Sequence, residues 1–346
     1  MTATVPAPTL MRQEIEEIPR AVARLLERGG PQIAAAAAAL RAADPGMIVT
    51  VARGSSDHVC TGFKYAAEIM TGRPVASLGP SLASIYGAAL KLEGAVCLGV
   101  SQSGRSPDIV AMSDAARKGG AFSLALTNDP ASPLAGLSDH VIDIHAGPEL
   151  SVAATKTYVT SAVAALWLLA EWQRDAGLLA ALKDLPAQLE KAGHLTWPEL
   201  RAALAERTSL FTLGRGLTFA TSNEAALKFK ETCQLHAESY SAAEVLHGPV
   251  SIVDEGFPVL CFAGADAAED SLAQAADDLT TKGARVFATT SKVAKATVLE
   301  HVATGHPMTE PLSLLVSFYA MVEAFATSRG GNPDAPRNLR KVTETL

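Results

Sequence analysis

The chain has 346 residues, 48% hydrophobic and 19% charged, with a formal net charge of −7. That length suits two domains of about 100–200 residues each, and the apolar fraction supplies a substantial core. The acidic balance and the lack of any basic block exclude nucleic-acid binding through a broad electrostatic footprint, so an anionic ligand has to be held by local dipoles and a few cations.

The four cysteines, Cys60, Cys97, Cys233 and Cys261, show no close paired spacing. They are expected to be reduced core thiols of a cytoplasmic protein, neither a disulfide frame nor a metal site. No secretion signal and no uncharged apolar run of about 18 residues is found, so no membrane span is expected.

Residues 1–10 read as a loose tail, and Met11 to about Ala43 reads as helical. Strands and helices then alternate. Strands are expected at 48–52, 74–78, 95–100, 123–126 and 140–144, with a helical segment over 156–182 and a connecting region opening at Asp184-Leu185-Pro186. Strands apolar throughout and separated by helices imply a parallel sheet covered on both faces.

The second half repeats this plan about 160 residues later. Leu210-Phe211-Thr212-Leu213 answers the strand at Ile48, and Pro258 to Phe262 answers the strand at Ala95. Lys282-Gly283-Ala284-Arg285 answers Lys118-Gly119-Gly120-Ala121. The fold class expected is α/β, with two tandem doubly wound, flavodoxin-like parallel-sheet domains.

The run Ser101-Gln102-Ser103-Gly104-Arg105-Ser106-Pro107-Asp108 lies where the apolar strand 95–100 gives way to a helical pattern. Free backbone N–H groups and the positive end of the helix dipole favour an anion there. Ser106 suits the N-cap, Pro107 the first helical position and Asp108 the first turn. A cap needs one hydroxyl and this loop carries three, so a phosphate cradle is expected above a plain capped helix. The second copy has Ala263-Gly264-Ala265-Asp266 in its place, which points to one site per chain, at the junction of the domains.

On Glu224-Ala225-Ala226-Leu227-Lys228-Phe229-Lys230-Glu231, the residues Glu224, Lys228 and Glu231 share one helical face. Taken alone, that segment reads as an exposed helix laced by ion pairs. The preceding turn Gly214-Arg215-Gly216 brings the helix start to the ligand-binding edge of a sheet. As a dinucleotide fingerprint it fails, because Phe219 takes the third glycine position. His247, before Gly248-Pro249, lies at a helix or turn boundary. His236 and Glu238 match no metal-ligand spacing, and no metal is expected. By composition, Pro336 to Lys341 is a basic, disordered end.

These pieces taken together resemble the sugar isomerase (SIS) family: two related domains, the SQSG loop, the EAALKFKE helix, the HGP turn and the PRNL tail. Within it, residues 11–346 resemble the isomerase half of glutamine–fructose-6-phosphate aminotransferase. The resemblance implies residues 1–43 packing on the core, a first domain over 44–186 with the serine loop, and a second over 187–335 with the catalytic helix. Residues 336–346 would be a tail that reaches the site.

It also implies roles. Ser101, Gln102, Ser103 and Ser106 hold a phosphate, with Gly54 and Ser55 assisting. Val152, Ala154 and Arg340 lie at the sugar. Glu231 shuttles a proton between C1 and C2 beside Lys228, and Lys341 contacts or covalently holds the keto sugar. His247, donated by the second subunit of a homodimer, opens the ring.

Three departures bear on sugar specificity: Arg53 stands for a cysteine, Arg105 for a glutamate and Ala154 for a serine. Arg53 and Arg105 are expected to add positive charge near the phosphate. The chain begins Met1-Thr2 and runs almost directly into the isomerase-like part. Deamination of glucosamine 6-phosphate to fructose 6-phosphate and ammonia is therefore the activity expected. The galactosamine series, an ammonia-using synthase or plain isomerase, and a non-catalytic sugar-phosphate sensor stand as alternatives. The partner expected is a small sugar phosphate, with no nucleic acid and no membrane. The isomerisation needs no redox cofactor, only a carboxylate whose pKa sits toward about 6–7.

Overall fold

A computed structural model describes residues 7–341. In the first lobe β1 (Met47–Val51), β2 (Val75–Ser77), β3 (Ala95–Val100), β4 (Phe122–Thr127) and β5 (His140–Asp143) form one sheet in the order β2-β1-β3-β4-β5, every pair parallel. In the second lobe β6 (Ser209–Gly214), β7 (His236–Ser241), β8 (Pro258–Cys261), β9 (Arg285–Ala288) and β10 (Thr297–Val298) follow the order β10-β9-β8-β6-β7, again parallel. Read from its own first strand, each sheet has the same 2-1-3-4-5 order, so the repeat expected from the sequence is present in the topology.

The sheets are built from residues that want both faces covered. β3 is Ala-Val-Cys-Leu-Gly-Val and buried at every position. β7 and β10 were not anticipated. β7 is His-Ala-Glu-Ser-Tyr-Ser and mostly half-exposed, because it lies at the edge of its sheet, where one flank meets no further strand among the described residues. Polar residues are tolerated there, and the apolar signature is missing.

One continuous core joins the lobes. Ile48, Val96, Leu124 and Ile142 of the first sheet share it with Leu210, Leu260 and Phe287 of the second. Between them run the helices Ser55–Thr71, Lys156–Gln173, Phe219–Cys233 and Glu310–Ser328. Smaller clusters cover the outer face of each sheet. Gly62 lets helices 55–71 and 219–233 approach closely, since a Cβ there would stand 3.3 Å from the Ala220 Cβ. Glu310–Ser328 is, among the described residues, the one helix long and apolar enough to cross a membrane, and 83% of its apolar window is buried inside the protein.

Three boundaries differ from expectation, the first being the helical segment expected over 156–182, which is two helices, Lys156–Gln173 and Ala176–Ala192, parted where Arg174 turns left-handed and Asp175 caps the next helix. The N-terminal helical region is two helices, Leu10–Arg28 and Gly30–Ala43, broken at Gly29. The connecting region expected at Asp184-Leu185-Pro186 is instead inside the helix Ala176–Ala192. Its buried stripe of Leu178, Leu182, Leu185 and Leu189 is worth about 1.5–3 kcal/mol per side chain. That outweighs the roughly 3 kcal/mol cost of an interior proline.

Candidate active site

In each sheet the strand order reverses between the first and third strands, and a crevice opens there beyond their carboxyl ends. In the first lobe that crevice lies between the turn Arg53–Ser56 after β1 and the loop 101–106 after β3. A cavity of about 350 Å³ occupies it, lined by Gly54 and Ser56 on one side, Ser101, Gln102, Ser103 and Ser106 on the other, and Val152 and Glu231. Leu339, Arg340 and Lys341 close it from the C-terminal tail. The tail is therefore ordered into the site as far as Lys341, against its compositional reading as a disordered end. Expectations for 342–346 lie outside the described residues.

The serine loop is braced from behind. The Asn128 N–H donates to the Gln102 carbonyl at 3.0 Å, and the Leu134 N–H to the Gly104 carbonyl at 3.1 Å. Ser101 Oγ accepts from the Gly104 N–H at 3.1 Å. Gly104 sits at φ +61°, and a Cβ there would lie 2.1 Å from Ser132 Oγ, so conformation and space both require glycine. Ser106 is the N-cap of the helix Pro107–Lys118, yet its hydroxyl makes no capping bond. It lines the cavity instead.

Behind Glu231 lies a buried ionic cluster. The face bearing Glu224, Lys228 and Glu231 is not an exposed one: Glu224 and Lys228 are fully buried, because this face packs against helices 55–71 and 310–328. Lys228 Nζ is 2.9 Å from Glu224 Oε1 and 2.7 Å from Glu231 Oε2, and donates to Ser55 Oγ at 3.0 Å. Glu224 also accepts from the hydroxyls of Ser55 at 3.0 Å and Tyr319 at 3.1 Å. Its other oxygen meets His58 Nδ1 at 2.8 Å. Burial opposes both charges, but the pairing wins. Lys228 is held above the usual lysine range by Glu224 and Glu231, and Glu224 below the carboxylate range by Lys228 and His58.

A second buried carboxylate anchors the tail. Lys341 Nζ donates to Glu149 Oε2 at 2.8 Å and to the Ser151 carbonyl at 2.7 Å. Burial works against the Glu149 charge, yet Lys341 and the Thr157 donors hold its carboxyl below its ordinary range. Glu14 reaches the same strap from the N-terminal helix, accepting from the Leu150 and Ser151 N–H groups. Its carboxyl is raised, chiefly by burial and also by neighbouring Glu149.

Several expectations change in detail. The Ser55 hydroxyl is engaged by Glu224 and Lys228, and Ser56 takes its place at the cavity wall. Lys228 supports Glu231 from behind without lining the cavity, and Ala154 is not among the lining residues. Arg53 lines the cavity, but Arg105 does not: its Nη2 is 2.7 Å from Asp129 on the exposed rim. His247 ends an exposed 3-10 turn, Glu244–His247, outside this cavity. His236 Nδ1 meets Ser209 Oγ at 3.1 Å, and Glu238 accepts the Tyr240 hydroxyl. Residues at or behind the cavity that the sequence did not single out include His58, Ser56, Tyr319 and Glu149. His58 and Ser56 could have been found from their place just after β1.

Two segments, residues 43–171 and 203–328, match the SIS domain. The chain belongs to the SIS family. Among curated SIS relatives, the glutamine–fructose-6-phosphate aminotransferase of Sulfurisphaera tokodaii is 31% identical over 344 residues, covering 97% of this chain and 56% of that protein. The Pyrobaculum aerophilum enzyme of the same name is 33% identical, covering 97% and 57%. The chain thus spans little more than half the length of these relatives. Among solved structures, a Silicibacter pomeroyi DSS-3 protein provisionally named a phosphosugar isomerase is 67% identical, with a TM-score of 0.92 over 94% of this chain and all of that one. The glucosamine-6-phosphate deaminase of Thermotoga maritima shares the fold, with a TM-score of 0.80 at 18% identity, over 97% of this chain and 100% of that one.

Proposed function

We propose that the chain is an amino-sugar 6-phosphate deaminase/isomerase, converting glucosamine 6-phosphate and water to fructose 6-phosphate and ammonia. The observation that carries this reading is a single cavity joining a serine-rich helix N-terminus, the Glu231 carboxylate and the tail residues Arg340 and Lys341. The phosphate rests on Ser101, Gln102, Ser103 and Ser106, at the positive end of helix 107–118. The sugar extends along Gly54 and Val152 toward Glu231.

With the ring opened, Glu231 takes the proton from C2 of the aldehyde form, giving an enolamine, and returns it to C1. The product is a ketimine at C2, which water hydrolyses to the ketone and ammonia. Lys228, fixed by Glu224, is the cation in contact with Glu231 among the described residues, and it orients the carboxylate. Lys341 stands at the sugar end, held by Glu149 and Ser151. His247, exposed in its own chain, acts in ring opening from a second copy. The large apolar side chains Leu246 and Ile252, 41% and 55% exposed beside it, support a dimer contact there.

The identity shared with aminotransferases supports a second reading, in which the same atoms run toward glucosamine 6-phosphate with added ammonia. A coupled assay decides. Ammonia and fructose 6-phosphate should appear in equal amounts from glucosamine 6-phosphate. Glu231→Gln should retain binding and lose turnover by about 10²-fold or more, the scale of one acid–base group. Turnover of the galactosamine epimer alone would reassign the sugar. Tight binding without turnover of any amino-sugar phosphate would leave a sensor.

A further inference from the structure

We infer that Arg53, clamped by Asp108, is a phosphate-monoester ligand of this chain. The inference rests on the reading of loop 101–106 as the phosphate cradle. Arg53 leaves β1 at the switch-point crevice, and its Nε is bonded to Asp108 Oδ2. Asp108 is 1% exposed, whereas the Arg53 side chain is 51% exposed. Both line the cavity together with Ser103 and Ser106. Among the described residues, Nη1 and Nη2 of Arg53 have no hydrogen-bond partner, which leaves the fork of the guanidinium for a ligand. A guanidinium fork matches two phosphate oxygens.

The neighbouring charges make this contact necessary. Asp108 is the second residue of helix 107–118, so a buried carboxylate occupies the same positive helix end that the phosphate needs. Two anions at one helix N-terminus repel each other. Arg53 sits against that carboxylate and brings positive charge to the cavity side of the cradle. Asp57, the other carboxyl near Arg53, is raised, mainly by half-burial, with His58, Ser77 and Arg53 opposing. Asp108 is thus a positioning residue and Arg53 the ligand. Arg105 cannot substitute, being on the rim with Asp129.

The test is a phosphorus NMR titration with inorganic phosphate, alongside KM for glucosamine 6-phosphate. Arg53→Ala should weaken both by about tenfold or more, the scale of a hydrogen bond to a charged group, with the loss falling on KM more than on kcat. Arg53→Lys should recover part of it, since a point charge replaces a fork. The decisive variant is Arg53→Ala with Asp108→Asn, which should bind phosphate more tightly than Arg53→Ala alone. Equal phosphate binding by wild type and Arg53→Ala, or no gain in the double variant, overturns the assignment and leaves the cradle standing. Wild-type protein that takes up no inorganic phosphate and no phosphosugar overturns both.

Discussion

At the scale of single residues, the protein is decided by which buried charges find partners. Lys228 is fully buried between two carboxylates. Removing one member of such a group strands the others, which costs about 3–5 kcal/mol. Lys228→Met should therefore lower the unfolding free energy by that amount in urea denaturation. The signs of the pH dependence follow. Glu224 and Glu149 are held below 4.5, so their stabilisation is complete above about that pH and is lost as pH falls through their folded values. Lys228 is raised above 10.5, so its contribution is complete below that pH and is lost as pH rises through the folded value. Glu14 runs the other way from its fellow carboxylates. Its pKa is raised from 4.5, so whatever it contributes is complete below that pH and lost above its folded value. Glu14→Gln keeps an acceptor for the Leu150 and Ser151 N–H groups without the charge. Its melting temperature at pH 8 should match or exceed that of the wild type, and a large drop would show that the ionised form is needed.

At the scale of elements, the site is a set of strand ends and helix starts held at fixed offsets. The loop after β3 keeps its shape because Gly104 lies at positive φ against Ser132. Gly104→Ala introduces both strain and a collision, so it should cost about 1–3 kcal/mol and raise KM for the phosphosugar; an unchanged melting temperature and KM would show that the loop can yield. This loop was legible in the sequence because an all-apolar strand, three hydroxyls and a Ser-Pro-Asp helix start stand in sequence order. The apolar strands of both lobes were legible for the same reason. β7 was hidden by its polar edge-strand composition, and the helix through Pro186 by a proline that its leucine stripe overrides. The burial of the Glu224 face could not be read from spacing. An i, i+4, i+7 ladder of charges looks the same in water and in a core. Only the packing of helices 55–71 and 310–328 tells them apart. The family resemblance supplied what periodicity lacked, namely that Glu231 and the tail residues Arg340 and Lys341 meet at one place.

At the scale of the whole molecule, two lobes of equal topology share one core, and one crevice carries the hydroxyls. The second lobe lacks the serine loop but donates the helix 219–233, so neither lobe alone supplies both the serines and Glu231 that line the cavity. His247 is the remaining piece of the proposed site, and its own chain leaves it exposed beside Leu246 and Ile252. If a second copy covers that turn, each site draws on two chains. A dimer in which one chain carries His247→Ala and the other Glu231→Gln then contains one site with both defects and one with neither. Co-expressed, differently tagged and purified as mixed dimers, these subunits should recover about half the wild-type activity per dimer, while either variant alone stays inactive. A mixed dimer as inactive as its parents would mean that His247 and Glu231 serve the same site from the same chain. In that case the turn 244–247 would have to move to the cavity within one molecule, and an activity independent of dilution through the dimer dissociation range would reveal it.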